Sequence, residues 1–352
     1  MTSVRLAYVT QGWSGHDDRF VAAWRAAGAE VGSVSVSRDD VADPRAAVWQ
    51  DLAALLGEGP VDLVQAGPLT HVVENVRRAW NGPLLGTSWG YDLLQDLERG
   101  GAAGASVARS IAASTVLLVD SDPGRAAAAA LGFPEDRTMQ FPWGVDLERF
   151  HPEGADLRDD LGLDRDDVVI LSTRRHEPIY SVGTLADALA LVADEPRIHA
   201  IIAGSGSETV HLRSVVDAAG LADRVRFVGE TDNARLADLY RTADLYVSTS
   251  TTDGTSISLL EAMASGTPAA VSDIPGNRAW LLADAVEPFA LGSASELATR
   301  LRAATPRAER AVASCRVRRA VEARADWRET AAGFGALAQR VVRTHEQLEV
   351  SR

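Results

Sequence analysis

The sequence predicts an α/β protein with two doubly wound domains, each built on a parallel sheet. Short β-rich runs of about five residues alternate with single helical patterns along the whole chain, an order typical of right-handed βαβ units. The 352 residues exceed one ordinary core and suit two domains of about 150–180 residues each. A Pro-, Gly- and Asp-rich stretch near residues 143–160 indicates the connection between them.

Each element follows from the residue types in its run. The strands are aliphatic and β-branched runs, and the helices are Ala-rich amphipathic stretches. The predicted strands are Val4–Val9, Val31–Val36, Val61–Gln65, Leu84–Gly86, Val116–Val119, Thr138–Phe141, Val168–Ser172, His199–Ala203, Val225–Val228, Leu245–Ser248 and Ala269–Val271. The helices in the first half include Phe20–Ala27, Arg45–Leu56 and Val72–Trp80.

The last stretch, Trp327–Gln347, has helical periodicity with no strand after it. It is predicted to cap the second domain or to cross back to the first. We therefore expect a first domain over residues 1–145, a linker over 146–160, a second domain over 161–325 and a C-terminal helix over 326–352.

Composition excludes several classes of function. The chain has 49 acidic and 35 basic side chains and a formal net charge of −14, which repels nucleic-acid backbones and anionic membranes. All 35 basic residues are arginine, so Schiff-base catalysis by lysine and a phosphate loop that needs lysine are excluded. The single cysteine, Cys315, excludes an intramolecular disulfide and a thiolate metal cluster.

The expected location is the cytoplasm, with no integral membrane segment. No apolar run approaches the ~20 residues that a membrane-spanning helix needs. The N-terminus enters a strand pattern at once, unlike a signal peptide.

The strongest candidate site lies between Ser248 and Pro268, where a strand runs into a polar loop and then into a helix that begins near Thr255 or Ser256. Gly254 lets a ligand approach the backbone, because it has no Cβ. The first amides of the helix, together with its dipole, favour an anion such as a phosphate. Ordinary helix capping by Ser and Thr explains the same residues. Glu261 could accept hydrogen bonds from ribose hydroxyls, and Asp253 would face the ligand beyond the phosphates.

This stretch resembles the retaining glycosyltransferases of family 4, which have the GT-B fold of two Rossmann-like domains facing across a cleft. Their hallmark is two acids separated by seven residues, followed by Ala-Met-Ala and Gly-x-Pro. Here Asp253 and Glu261 have that spacing, and Ala262-Met263-Ala264 and Gly266-Thr267-Pro268 follow. Further segments similar to family motifs occur in the family's order, namely Phe141–Pro152, Ala203–Glu208, Val225–Glu230, Asp244–Ser248 and Pro268–Asn277.

The resemblance implies transfer of a sugar from a nucleotide-diphosphate sugar to a hydroxyl acceptor with retained anomeric configuration. It places the donor in the C-terminal domain and the acceptor in the N-terminal domain, with front-face attack and no metal or other cofactor. The implied catalytic residues are Asp253, Arg175 and His16. The implied donor-binding residues are Arg174, Arg175, Tyr180, Gly204, Gly206, Val228, Gly254, Thr255, Ser256, Ile257, Ser258 and Glu261.

The chain departs from the family at several positions. Relatives pair an Arg with a Lys five residues later on the diphosphate, and here Tyr180 takes the place of that Lys. Arg174 or His176 could supply the missing charge, although neighbouring arginines are often a solvated strand end or a structural ion pair.

The predicted acceptor-binding residues lie in the first domain and include two departures from the family pattern. The family has a pair of glycines near the N-terminus, and the corresponding segment here, Gln11–Asp17, is altered. Trp89 stands where relatives often carry a histidine. An aromatic ring could stack on a sugar or belong to the core. The acceptor-binding predictions are Gly12, Trp13, Gly15, Trp89 and Asp92. His16 is better placed than His71, and the loop Asp120–Pro123 could line the cleft or cap a helix.

Of four alternative functions, the first is disfavoured by its missing motif and three remain open. A nicotinamide-dependent oxidoreductase needs Gly-x-Gly-x-x-Gly after the first strand, and Gly12-Trp13-Ser14-Gly15 misses that spacing. A nucleotide-sugar 2-epimerase, a pseudo-glycosyltransferase and a non-catalytic nucleotide-sugar-binding protein could share the fold. The expected partners are a nucleotide sugar and a small-molecule, glycan or lipid-linked acceptor.

Overall fold

The chain divides into two compact units. The computed structural model describes residues 4–282, 285–306 and 311–351. Unit 1 comprises the described residues of Met1–Pro142 and Arg328–Arg352, and unit 2 comprises those of Trp143–Trp327. The expected linker, residues 146–160, packs into unit 2, where Phe150 and Leu157 are buried in a core. The Pro, Gly and Asp residues of this segment are typical of a connection between domains. Its apolar side chains are nevertheless more stable when buried, so the segment packs against the unit 2 core.

Unit 1 is built on one six-stranded parallel sheet in the order β2-β1-β3-β4-β5-β6. Its strands are β1 (Arg5–Gln11), β2 (Glu30–Val36), β3 (Leu63–Gly67), β4 (Leu84–Thr87), β5 (Val116–Val119) and β6 (Thr138–Gln140). Its helices before the division are α1 (Gly15–Ala26), α2 (Val48–Gly57), α3 (Glu74–Ala79), α4 (Leu97–Arg99), α5 (Gly101–Ala113) and α6 (Asp122–Ala130). Because β2 and β3 lie on opposite sides of β1, the winding direction reverses between β1 and β3.

Unit 2 has a second six-stranded parallel sheet in the order β12-β11-β10-β7-β8-β9. Its strands are β7 (Val168–Ser172), β8 (Ile198–Ala203), β9 (Val225–Gly229), β10 (Leu245–Ser248), β11 (Ala269–Ser272) and β12 (Val286–Phe289). Its helices are α7 (Gly183–Leu191), α8 (Thr209–Ala218), α9 (Asn233–Thr242), α10 (Ile257–Ala264), α11 (Pro275–Arg278), α12 (Ala294–Ala303) and α13 (Ala311–Glu322). Here the winding reverses between β7 and β10.

The central strand β7 shows why this sheet is covered on both faces. Val169 and Leu171 belong to one hydrophobic core, and Val168 and Ile170 belong to another. Alternate residues of a strand point to opposite faces, so each face of the sheet has its own core. The prediction of two doubly wound parallel sheets is confirmed.

The structure differs from the sequence prediction in several elements. Helix α1 begins at Gly15 rather than at Phe20, and α2 begins at Val48 rather than at Arg45. The sequence prediction missed β12, a four-residue edge strand that contains Pro288, and edge strands tolerate proline. The helix expected at Val72–Trp80 is α3, which begins at Glu74. The turn before it is irregular, because Thr70 is extended and His71 has a φ of +67°.

The C-terminal segment forms α14 (Trp327–Ala332) and α15 (Phe334–Val350), and from Arg328 onward it belongs to unit 1. The ring of Phe334, which is completely buried, lies 4.8 Å from Trp24 and 5.6 Å from Phe20 between ring centroids. Both partners are on α1. These aromatic contacts attach the end of the chain to its first helix.

Replacement of Phe334 by alanine should therefore destabilise unit 1 by about 3–5 kcal/mol, the usual cost of removing a fully buried aromatic ring. Chemical denaturation measures this loss. Val350→Ala on the same helix is the matched control, because Val350 is 89% exposed. The control should stay within about 0.5 kcal/mol of the parent. A Phe334→Ala loss below about 1 kcal/mol would contradict the packing described.

Candidate active site in unit 2

The loops that follow β7 and β10 are tied to each other. Thr249 donates its hydroxyl to the carbonyl of Tyr180 at 2.8 Å, and the amide of Thr251 donates to the carbonyl of Ile179 at 2.9 Å. Both loops leave the carboxyl ends of their strands at the point where the sheet reverses its winding. Ligands of open α/β sheets bind in this crevice, so topology alone marks the place.

Arg174 is the centre of the side-chain cluster at this point. Its Nη2 donates to the carboxylate of Asp253 at 2.7 Å, and its Nη1 donates to the Ser258 hydroxyl at 2.8 Å. The guanidinium also lies over the Tyr180 ring, 4.2 Å from its centroid. The sequence placed Arg174, Tyr180, Asp253 and Ser258 in one site, and the structure brings them together.

The Arg174–Asp253 pair is largely shielded from water, with side chains 11% and 19% exposed. Burial is the largest single influence and lowers the pKa of Arg174, but the charge of Asp253 and the interactions with Tyr246, Tyr180 and Tyr240 together outweigh burial and raise it. The guanidinium therefore stays charged. Arg175, which the sequence analysis assigned to the diphosphate, is exposed on the same loop.

His176, the other residue considered as a replacement for the missing lysine, is completely buried. Burial lowers its pKa, so the ring favours the neutral form. Its Nδ1 lies 2.8 Å from the Thr209 hydroxyl at the start of α8, and its backbone bonds to Ser205 and Glu208. His176 thus orders the glycine-rich loop after β8, and of the two candidates Arg174 is the one that carries charge.

That loop contains Gly204 and Gly206, and close backbone approach explains both. Gly204 has a φ of +104°, and a Cβ there would lie 3.0 Å from the carbonyl oxygen of Arg174. A Cβ on Gly206 would lie 2.4 Å from the carbonyl oxygen of His176. The loops after β7 and β8 are therefore packed backbone to backbone. Val228, on β9, is partly buried against the core.

Helix α10 begins at Ile257, with Ser256 as its N-cap residue. The side chain of Ser256 makes no capping hydrogen bond to the helix backbone and instead lies 3.2 Å from Nη1 of Arg174. Capping therefore does not account for this serine. Gly254, Thr255 and Ser256 are buried, while Ile257 and Ser258 are partly exposed at the start of the helix.

Glu261 lies in the second turn of α10, and one of its contacts is Tyr240 of α9. The Tyr240 hydroxyl donates to Oε2 of Glu261 at 3.0 Å and lies 2.8 Å from the Thr173 hydroxyl. Thr173 directly precedes Arg174. The two acids of the motif are therefore anchored to consecutive residues at the end of β7.

The sequence analysis missed Tyr240, Tyr246 and Thr173. Tyr246, on β10, donates its hydroxyl to Ser258 at 2.7 Å, and its ring packs 5.8 Å from that of Tyr240. Helical periodicity could place Tyr240 on the buried face of α9. No spacing in the sequence connects it with Glu261.

In unit 1, the predicted residues lie at the carboxyl ends of β1 and β4. Gly12 has a φ of +65°, which favours glycine, and Gly15 begins α1. Trp13 is 45% exposed, and its indole N–H donates to Asp18 at 2.8 Å. The His16 ring lies edge-on to the Trp89 ring at 5.5 Å between centroids. The structure thus brings His16 and Trp89 together.

Asp92 is placed differently from its acceptor-binding prediction. It is completely buried, and its carboxylate accepts hydrogen bonds from the backbone of Leu69, Trp89 and Leu93 and from the Ser88 hydroxyl. Burial raises its pKa. Asp92 therefore orders the loop that carries Trp89 and presents no surface to an acceptor.

The remaining candidates in unit 1 have local structural roles. His71 contacts Glu74 at 3.2 Å and has a positive φ. Ser121 is the N-cap of α6 and accepts from the Gly124 amide, so capping accounts for this part of the Asp120–Pro123 loop.

Among the residues that the structure describes, no group of three or more His, Cys, Asp or Glu side chains is arranged to hold a metal ion. Within the same residues, no helix combines the length and apolar character needed to cross a bilayer.

Gly276, on α11, provides a test of this geometry. A Cβ at Gly276 would lie 2.1 Å from the carbonyl oxygens of both Asp253 and Gly254. Gly276→Ala should therefore displace this loop and cost about 1–3 kcal/mol of stability, as overpacking does. Gly335→Ala is the matched control, because no atom lies within 4 Å of the added methyl. Equal stability of the two variants in chemical denaturation would contradict the close approach.

Comparisons with known proteins agree with this architecture. Residues 155–294 match the family model "Glycosyl transferases group 1". D-inositol 3-phosphate glycosyltransferase 2 of Catenulispora acidiphila is 35% identical over 176 residues, which cover 47% of this chain and 38% of the relative. D-inositol 3-phosphate glycosyltransferase of Geodermatophilus obscurus is 35% identical over 153 residues, 40% of this chain and 34% of the relative. The matches thus span little more than a third of each relative.

Several solved structures match nearly the whole chain, including the following two. Anabaena HepE in complex with UDP and glucose superposes with a TM-score of 0.77 at 18% identity, covering 99% of both chains. Sucrose-phosphate synthase from Thermosynechococcus elongatus gives a TM-score of 0.79 at 19% identity, covering 96% of this chain and 99% of that one. The GT-B fold prediction is confirmed, and unit 2 carries the segment that matches the group 1 glycosyl transferases.

Proposed function

We propose that the protein is a retaining glycosyltransferase that moves a sugar from a nucleotide-diphosphate sugar to a hydroxyl acceptor. Unit 2 binds the donor and unit 1 binds the acceptor. The proposal includes a front-face mechanism that requires no metal ion. The bound UDP in the HepE structure and the glycosyltransferase names of the sequence relatives support this class of substrate.

The anchoring of Asp253 and Glu261 at the end of β7 carries the proposal. Arg174 bonds directly to Asp253, and Thr173 contacts Tyr240, which in turn bonds to Glu261. One carboxylate therefore lies before the start of α10 and the other lies within the helix. A donor whose diphosphate lies at the helix start would have its ribose on the side of Glu261 and its sugar on the side of Asp253.

Charge stabilisation of the leaving group is the chemistry that this site can supply. As the glycosidic bond breaks, its electron pair leaves with the diphosphate. Hydrogen-bond donors aimed at that charge stabilise the transition state. Arg174, Arg175 and the amides at the start of α10 are those donors. Arg174, held against Tyr180, replaces the family lysine.

In the proposed step, the acceptor oxygen bonds to the anomeric carbon on the face from which the diphosphate departs. The acceptor proton passes to a phosphate oxygen, so no protein base is required. Asp253, with one carboxylate oxygen on Arg174, contacts the transferred sugar. On the acceptor side, the ring pair of His16 and Trp89 offers an aromatic surface for an apolar sugar face.

A panel of nucleoside diphosphates tests the proposal first. UDP, GDP, dTDP, ADP and CDP are compared by thermal shift in EDTA and in magnesium. One diphosphate should raise the melting temperature by a few degrees without metal, because it binds the native state. Its sugar conjugates then serve as donors, and NMR should show a product with the donor's anomeric configuration. If none of the five stabilises the protein at millimolar concentration, the proposal is wrong.

Asp253→Asn tests the catalytic assignment. Loss of the carboxylate charge should lower kcat by about a hundredfold, a typical effect for one electrostatic group in an active site. The melting temperature should also fall, because Arg174 keeps its charge in a site shielded from water and loses its partner, so turnover is compared at a temperature at which circular dichroism shows both proteins folded. Asp166→Asn is the matched control, since Asp166 also pairs with an arginine, Arg197 at 3.3 Å, but precedes β7 at the opposite end of the strand. Near-parental turnover by Asp253→Asn would overturn the assignment.

A further inference from the structure

Tyr240 and Thr173 form a buried relay that ends on Glu261. Tyr240 is completely buried in the core of unit 2, with its ring edge-on to Phe150 and Tyr246. Its hydroxyl reaches the Glu261 carboxylate at 3.0 Å and the Thr173 hydroxyl at 2.8 Å. The relay thus joins three elements, namely the end of β7, helix α9 and helix α10.

The direction of each hydrogen bond follows from the chemistry of the groups. An ionised carboxylate accepts and does not donate, so the single phenolic proton of Tyr240 points to Glu261. The Tyr240 oxygen then accepts the proton of Thr173. Burial, followed by the charge of Glu261, raises the pKa of Tyr240 well above its ordinary value, so the phenol keeps this proton.

This arrangement fixes the orientation of the Glu261 carboxylate. A glutamate on a helix surface samples several rotamers, and restricting them before binding reduces the entropy lost when a ligand binds. The Tyr240 ring is completely buried and contacts the rings of Phe150 and Tyr246, so packing restricts its position. One oxygen of Glu261 is therefore held at a fixed point relative to the start of α10.

We propose that Tyr240, oriented by Thr173, is a positioning residue that presets Glu261 for the 2′,3′-diol of a ribonucleotide donor. This inference rests on the proposed function and adds a preference for ribonucleotide over deoxyribonucleotide donors. Two adjacent hydroxyls suit a fixed carboxylate, since each can donate to it.

The test compares binding of one diphosphate with its analogue that lacks both hydroxyls. The best binder of the panel and its 2′,3′-dideoxy form are titrated by calorimetry into the full chain and into the Tyr240→Phe variant. Tyr240→Phe should weaken binding of the parent nucleotide about tenfold, as loss of a hydrogen bond to a charged group does. Binding of the dideoxy form should be unchanged. With the sugar donor, KM should rise while kcat stays within about twofold.

Tyr8→Phe is the matched control, because it removes another buried tyrosine hydroxyl that donates to a carboxylate, Asp17 at 2.8 Å, but lies in unit 1. Any effect of this control should be the same for both nucleotides. In a Glu261→Ala background, Tyr240→Phe should cause no further loss, since the group that it positions is gone. If Tyr240→Phe fails to fold, Thr173→Val takes its place in the same titrations and should also weaken binding of the parent nucleotide alone. This variant removes the hydroxyl that donates to Tyr240 and leaves the rings of Tyr240 and Tyr246 in place.

The outcomes separate the two proposals. Equal weakening of the parent and dideoxy nucleotides by Tyr240→Phe would show that Tyr240 only packs the core, and the inference would fail. An unchanged affinity for the parent nucleotide would also overturn it. Failure of the unsubstituted protein to bind any of the five diphosphates would instead reject the proposed function, and this inference with it.

Discussion

The ion pair between Arg174 and Asp253 is the interaction on which the candidate site depends. A charged guanidinium that is almost fully buried is stable only with an opposite charge and hydrogen-bond acceptors around it. Asp253 supplies the charge, and Ser258 supplies an acceptor at 2.8 Å. Because these partners come from the segment that follows β10, the pair fixes the path of the chain into α10. Removing either charge would leave the other buried without its partner.

The same constraint suits an aromatic ring, rather than a second cation, at position 180. Two adjacent cations, an arginine and a lysine, would repel each other at this depth unless an anion lay between them. An aromatic ring avoids that repulsion and attracts the guanidinium by its negative face. Arg174 therefore gains a platform from Tyr180, 4.2 Å away, in addition to its charged partner. The guanidinium of Arg174 is flat, so it can lie over the Tyr180 ring and at the same time donate to Asp253 and Ser258. The compact ammonium of a lysine at position 174 could not make all three contacts in this way.

Most of the fold was predictable from the sequence, because each buried strand is a short apolar run between polar turns. The missed strand, β12, contains a glutamate and a proline and lies at the sheet edge, so neither pattern nor propensity marks it. The site was predictable where one motif carries it, as for Asp253, Glu261 and the start of α10. Tyr240 was not predictable, because its role arises from packing between segments 21 residues apart. The prediction for Asp92 failed because a polar residue at a strand end suggests exposure, whereas four hydrogen bonds satisfy this carboxylate and allow it to be buried.

Asp253 and Glu261 are both linked to the end of β7, and this linkage limits how far the two carboxylates can move relative to each other. Thr173 and Arg174 are adjacent, so a shift at the end of β7 would move the partners of Glu261 and Asp253 together. The glycine-rich loop after β8 packs on the same segment, since a Cβ at Gly204 would lie 3.0 Å from the carbonyl of Arg174. In the proposed reaction, the ribose and the transferred sugar are held by groups that share one rigid origin. Their separation is then set by the backbone of β7 and α10, which suits a donor of fixed length between its ribose and its anomeric carbon.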